Sequence, residues 1–123
     1  MSEPAPTPAG VIIWTESSRF ATLANFYEHT LGLEPATRRP DHVSFEFGAF
    51  RLTIGVHDEV WGRATDPLRL MINLAVEDIA ESFMRLQKLG VPFTRPPESE
   101  SWGGRIATLS DPDGNTIQLL QLP

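Results

Sequence analysis

Short runs of alternating apolar and polar residues, interrupted by two stretches with helical spacing, set out the chain. Val11 to Thr15 (VIIWT) has the composition of a buried strand. Ser17 and Ser18 then stand as candidate N-caps of a helix on which Phe20, Leu23, Tyr27 and Leu31 form one apolar stripe. Gly32 occupies the position where a helix commonly ends in a left-handed residue. Glu34 to Asp41, with Pro35 and Pro40, is expected to be loop. Val43 to Phe47 (VSFEF), Gly48, Ala49 and FRLTIGV predict a hairpin.

Asp58 to Pro67 is expected to be a loop carrying Trp61 and Gly62. Leu68 to Val76 predicts a strand with Leu70, Ile72, Leu74 and Val76 on one face and Met71, Asn73 and Ala75 on the other. Asp78 followed by Glu81 is an acidic form of the capping box. Ile79, Phe83, Leu86 and Leu89 line a second helix, ended by Gly90. Pro92 to Pro97 is expected to be loop. Arg105 to Leu109, the turn residues Asp111 to Asn115, and Thr116 to Leu122 form a closing hairpin. In its last strand Ile117 and Leu119 share one face, and Thr116, Gln118 and Leu120 the other.

The same order of strand, helix, Leu-Gly, loop and hairpin occurs twice, from Val11 to Val56 and from Leu70 to Leu122. Leu31 with Gly32 and Leu89 with Gly90 mark the same point, 58 residues apart. Repetition at half the chain length points to a duplicated βαβββ unit and not to a solenoid, which needs more repeats. With 123 residues the chain is expected to be one domain from residue 11 to residue 123, with modules at about 11–58 and 68–123. Residues 1–10, with Pro4, Pro6 and Pro8, are expected to be a flexible extended arm.

Composition removes whole classes of chemistry. The chain has no cysteine, which excludes disulfides, thiolate metal sites and a cysteine nucleophile. No apolar run approaches the ~20 residues that cross a bilayer. The N-terminal segment lacks the basic and apolar regions of a signal peptide, so a cytoplasmic location and no membrane partner are expected. A net charge of −6 disfavours nucleic acid as a partner and favours cations. There is no HxH, HExxH or glycine-rich phosphate loop. His29 is expected on the surface, and His42 and His57 at strand ends in surface or hydrogen-bonded roles.

FYEHTLGLEP after the first strand and WGGRIATLSDPDGNTIQLL at the end, in this order and spacing, resemble the vicinal-oxygen-chelate superfamily of glyoxalase I, extradiol dioxygenases and bleomycin-resistance proteins. The resemblance covers nearly the whole chain. It implies an α+β fold in which two βαβββ modules form a curved mixed sheet, a cup, with helices outside. Metal enzymes of the family place His, Gln or Glu at four cup-facing strand positions. Those positions fall here on Ile12 (or Ile13 with a one-residue slip), on one of Leu52, Thr53, Ile54 and Gly55, on Met71, and on Gln118. Isoleucine cannot ligate, a thioether is too soft for Zn, Mn or Fe(II) in such a site, and a glutamine amide is a weak neutral ligand. No cofactor and no catalytic residue are therefore expected.

The branch most resembled is the bleomycin-resistance type, which implies a homodimer that sequesters a bulky ligand in grooves made by both subunits. FRLTIGVHDEVWGRATDPLRLMINLAV has the layout of that branch's hairpin, loop and second-module strand. An aromatic residue before the Gly-Arg element, Trp102 here, contacts ligand in that branch. Trp61, Phe45 and Phe47 could add stacking surface, although Phe45 and Phe47 could equally pack the core. Glu46, Asp58 and Glu59 could pair with a cationic ligand, and Arg63, Arg69 and Arg105 with an anionic one. Trp14 is expected in the core or at a dimer interface. The expected function is non-catalytic binding of a hydrophobic or aromatic molecule, a cationic antibiotic among the candidates, through Trp102, Trp61, Gln118, Met71, Phe45, Phe47, Glu46 and Arg105. The alternative is a metal-dependent lyase, isomerase or dioxygenase, using a divalent metal held by His57, Glu46 or Gln118.

Overall fold

A computed structural model describes residues 4–123. The first three residues of the expected arm lie outside the described residues. Pro4 to Ala9 has no regular structure, and Gly10, placed in the arm by its composition, instead opens the first strand. The chain divides into two compact units at Trp61 and Gly62.

The first unit runs β1 (Gly10–Thr15), α1 (Ser17–Asn25), β2 (Thr37–Arg39), β3 (His42–Phe47) and β4 (Phe50–Val56). Its sheet has the order β1-β4-β3-β2. β1 is parallel to β4, and the β2–β3 and β3–β4 pairs are antiparallel. Alternation sends Ile13, Leu52, Ile54, Val43 and Phe45 to the helix side, where they are buried with Leu23, Ala24, Phe26 and Tyr27. The opposite, open face carries Ile12, Trp14, Thr53, Gly55, His42, Ser44 and Glu46.

Several local expectations for this unit change. Glu16, not Ser17 or Ser18, is the N-cap of α1, and the Ser18 hydroxyl donates to the Glu16 carboxylate at 2.6 Å. The apolar stripe continues past Asn25 through a π-helical turn, Phe26–Thr30, closed by a bond from Leu31 N–H to the Phe26 carbonyl. The wider turn brings Phe26 and Tyr27, adjacent in sequence, into the core together, with their rings edge-on at 5.4 Å. Gly32 follows with φ of 82°, as the stop signal required. β2 lies inside the segment expected to be loop. It is a three-residue edge strand, too short for its own periodicity to show.

The second unit repeats the plan with β5 (Met71–Ala75), α2 (Ile79–Lys88), β6 (Phe93–Ser99), β7 (Arg105–Ser110) and β8 (Thr116–Gln121). Its sheet order is β5-β8-β7-β6, with β5 parallel to β8 and the other pairs antiparallel. The Asp78 carboxylate caps α2 by accepting from Glu81 N–H at 3.1 Å. Ile79 and Leu86 are buried on the sheet, Phe83 meets Phe93 edge-on at 4.7 Å, and Leu89, expected on the stripe, is exposed. β5 begins three residues later than the alternation predicts, with Leu68 and Leu70 exposed before it.

β6 replaces the expected proline-rich loop. Proline lacks the N–H that a central strand must donate, but β6 is an edge strand whose pairing with β7 shifts register at Arg95 and again before Glu98. Pro96 and Pro97 sit in that second irregularity. The closing turn is held by the Asp111 carboxylate, which accepts from the N–H groups of Asp113 and Asn115, each at 2.9 Å, and from the Asn115 side-chain amide. Gly114 supplies its positive φ of 83°. Arg63 lies over Gly114 and donates to the Pro112 carbonyl at 3.1 Å, and Ala64 N–H donates to the Asp113 carbonyl, so the turn also anchors the start of this unit.

Candidate functional site

The open faces of the two sheets differ in chemistry, and each follows from strand register. In the first unit, pairing places side chains in transverse rows. Thr37, Ser44, Thr53 and Ile12 form one row, and Arg39, His42, Gly55 and Trp14 the next. Glu46 faces Arg51 in a third row, and the two form an ion pair.

Trp14 does not enter the core. It is 44 % exposed, and its six-membered ring lies across Gly55, where an added Cβ would stand 2.9 Å from the ring. The His57 ring meets the indole edge-on at 5.2 Å. His57 Nδ1 accepts from Glu59 N–H at 3.0 Å. Ser44 forms the floor beside this platform and is only 2 % exposed, with no hydrogen-bond partner for its hydroxyl. Trp14, Thr37, His42, Ser44, Arg51 and Thr53 line an open recess of about 380 Å³ above it. The role of Trp14 was hidden in the sequence. The signal for it is a glycine in β4, which becomes informative only once β1 is known to pair with β4.

In the second unit, Met71 and Asn73 of β5 share the open face with Thr116, Gln118 and Leu120 of β8 and Thr108 of β7. The Gln118 side-chain amide donates to Asn73 Oδ1 at 3.0 Å. Trp102, 52 % exposed, folds onto Gly104, where even a methyl group would overlap its ring. Trp61, at the end of the first unit, is 72 % exposed.

The remaining candidates fall elsewhere. Phe45 is fully buried on the helix side of its sheet, so its ring serves packing; Phe47 shares that face at the strand end and is half exposed. Glu46 is engaged by Arg51. Alternation puts Arg105 with Ala107 and Leu109 on the helix side of β7, away from the open face. Arg69 pairs with Asp66 at 3.0 Å, and Arg63 is spent on the closing turn. Arg95 on β6 is bound by Glu98 and Glu100, and those hydrogen bonds, Glu98 first, raise its pKa above the ordinary value.

The positions of metal ligands in catalytic relatives can now be tested one face at a time. The first open face offers Ile12 and, of the four β4 candidates, only Thr53 or Gly55; Leu52 and Ile54 point toward α1. The second offers Met71 and Gln118. Among the described residues no group of three or more His, Asp or Glu is placed to hold a metal ion. This donor set does not fit a divalent cation.

Comparison with known proteins agrees with this architecture. Residues 17–119 match the family model described as the glyoxalase/bleomycin resistance protein/dioxygenase superfamily. A bleomycin resistance protein from Klebsiella pneumoniae is 30% identical over 114 residues, covering 85% of this chain and 86% of its own. A glyoxalase-related enzyme from Fulvimarina pelagi superposes with a TM-score of 0.77 at 20% identity, over 97% of this chain and 90% of that one. Lactoylglutathione lyase from Agrobacterium tumefaciens superposes with a TM-score of 0.72 at 18% identity, over 97% and 96%. These two likenesses concern the fold alone. With duplicated βαβββ modules, the closing DPDGN turn and a family match across most of its length, the chain belongs to the glyoxalase/bleomycin resistance protein/dioxygenase superfamily.

Proposed function

We propose that this protein binds a hydrophobic or aromatic small molecule without transforming it, and acts by sequestration as a cytoplasmic homodimer. The observation that carries this reading is the chemistry of the open faces. They present aliphatic, hydroxyl, thioether and amide groups at the strand positions where metal-dependent relatives are expected to present imidazole and carboxylate, with the Trp14 indole next to them. The groups that a metal-dependent alternative would recruit are engaged in other contacts: His57 with Glu59 N–H, Glu46 with Arg51, Gln118 with Asn73. Likeness to a bleomycin resistance protein makes a cationic glycopeptide antibiotic of the bleomycin type the first ligand to try. The net charge of −6 favours the approach of a cation.

Thermal unfolding with bleomycin and with planar aromatic cations tests the proposal. A ligand that binds only the native state raises Tm with concentration. Absence of any shift across the panel, or stoichiometric metal that is lost on His57→Ala, overturns it. Light scattering of the eluted protein tests the dimer.

A further inference from the structure

We propose that the open face of the first module is a self-contained subsite for a planar, uncharged ring bearing a hydrogen-bonding group. The ring stacks on Trp14 and its polar group reaches Ser44. The inference rests on the reading of the protein as a small-molecule binder and gives that reading a location and a chemistry.

Three observations converge. Trp14 is pinned against the sheet, because Gly55 leaves room for the ring beneath it and His57 holds its edge. A fixed, half-exposed indole is a stacking platform, since little freedom is lost when a second ring covers it. Ser44, next to it, is a buried hydroxyl without a partner. Buried polar groups are nearly always satisfied, so an orphan on the floor of a recess points to a hydrogen-bonding guest. Register then flanks Ser44 with Thr37 and Thr53, a row of three hydroxyls that can follow the edge of a flat molecule.

The groups lining the recess narrow the class further. Arg51 is held by Glu46, and His42 Nδ1 lies 3.3 Å from the Asp41 carboxylate, while Arg39 stands beside His42 in the next row. An amide, carbonyl or hydroxyl on the guest can meet the row of hydroxyls without displacing either contact.

The test is a titration of the whole protein with nicotinamide, followed by amide and indole NMR signals, beside 3-methylpyridine, which keeps the ring and loses the carboxamide. The expected result is movement of the Trp14 indole, Gly55 and Ser44 signals, with 3-methylpyridine about three- to tenfold weaker. Ser44→Ala should lower nicotinamide affinity by the same factor and leave Tm unchanged or higher, since it removes an unsatisfied hydroxyl. Gly55→Ala, which pushes the indole off the sheet, should weaken both compounds. Signals that move only around Met71, Asn73 and Gln118 would overturn the subsite while sparing the binder reading. Equal affinity of wild type and Ser44→Ala, the result if the recess merely holds an ordered water, would overturn it too, as would no response to nicotinamide. In each case the bleomycin thermal shift separately decides whether the broader reading survives.

Discussion

The two modules share strand order and pairing sense, yet their helices start differently and their open faces carry different chemistry. α2 opens on the Asp78 side-chain cap of a backbone N–H, whereas the Glu16 carboxylate at the start of α1 accepts from the Ser18 hydroxyl, and that helix ends in a π-helical turn. On the open faces, the first module sets an indole on a glycine beside an orphan hydroxyl. The second joins an amide pair to a thioether. The buried centres of the helix-side faces, by contrast, are aliphatic and aromatic in both, with Arg105 and Gln121 only at the end of the second. Packing against a helix constrains side-chain volume and polarity, so that face can change little after duplication. The open face carries no such packing constraint, and there the two modules differ.

Equivalence of the cores carries the largest expected effect. Ile54 in β4 and Ile117 in β8 are both fully buried at corresponding strands. Ile54→Ala and Ile117→Ala should each cost about 2–5 kcal/mol in urea unfolding. A difference beyond that range between them would break the claim that the helix-side faces are alike. The caps come next. Asp78→Ala should cost about 1 kcal/mol and Glu16→Ala under about 0.5 kcal/mol. Equal losses would mean that the asymmetry between the helix starts has no energetic content.

The Leu-Gly stops should behave as true equivalents. Gly32 and Gly90 have φ of 82° and 83°, with open space where a Cβ would stand. Alanine at either should cost only the left-handed backbone penalty, about 1–2 kcal/mol, and by the same amount. A double-mutant cycle of Asn73→Ala with Gln118→Ala should give the smallest value, a coupling below about 1 kcal/mol, because the amide pair is accessible to water. A larger coupling would show that the second open face is as rigid as the Trp14 platform.

Most of the fold was legible because its signals are local. The alternation of β3, β4 and β8, the Asp78 cap, the glycine stops and the DPDGN turn each act within a few residues. What escaped were two of the four edge strands, β2 and β6, and one helix end. β2 is too short to show a period, β6 carries prolines that only an edge can hold, and the π-turn came from core packing of Phe26 with Tyr27. Among the candidate site residues, strand alternation correctly separated Gln118 and Met71 from the helix side. It could not say which face of VSFEF was core, and so left Phe45 and Phe47 ambiguous.

The sequence by itself determined that there are two modules, where their helices stop, and that Ile12, Met71 and Gln118 share their strands' alternating faces with Trp14, Asn73 and Leu120. Turn geometry, helical period and side-chain chemistry are properties of neighbouring residues, and so they can be read along the chain. Only the tertiary structure decided that Trp14 lies over Gly55, that Ser44 lacks a partner, that Glu46 is paired with Arg51 on the open face, and that Arg105 lies on the helix side. Each of these depends on which strands become neighbours and in what register. That pairing is set by the packing of the whole sheet, and no local run of residues records it.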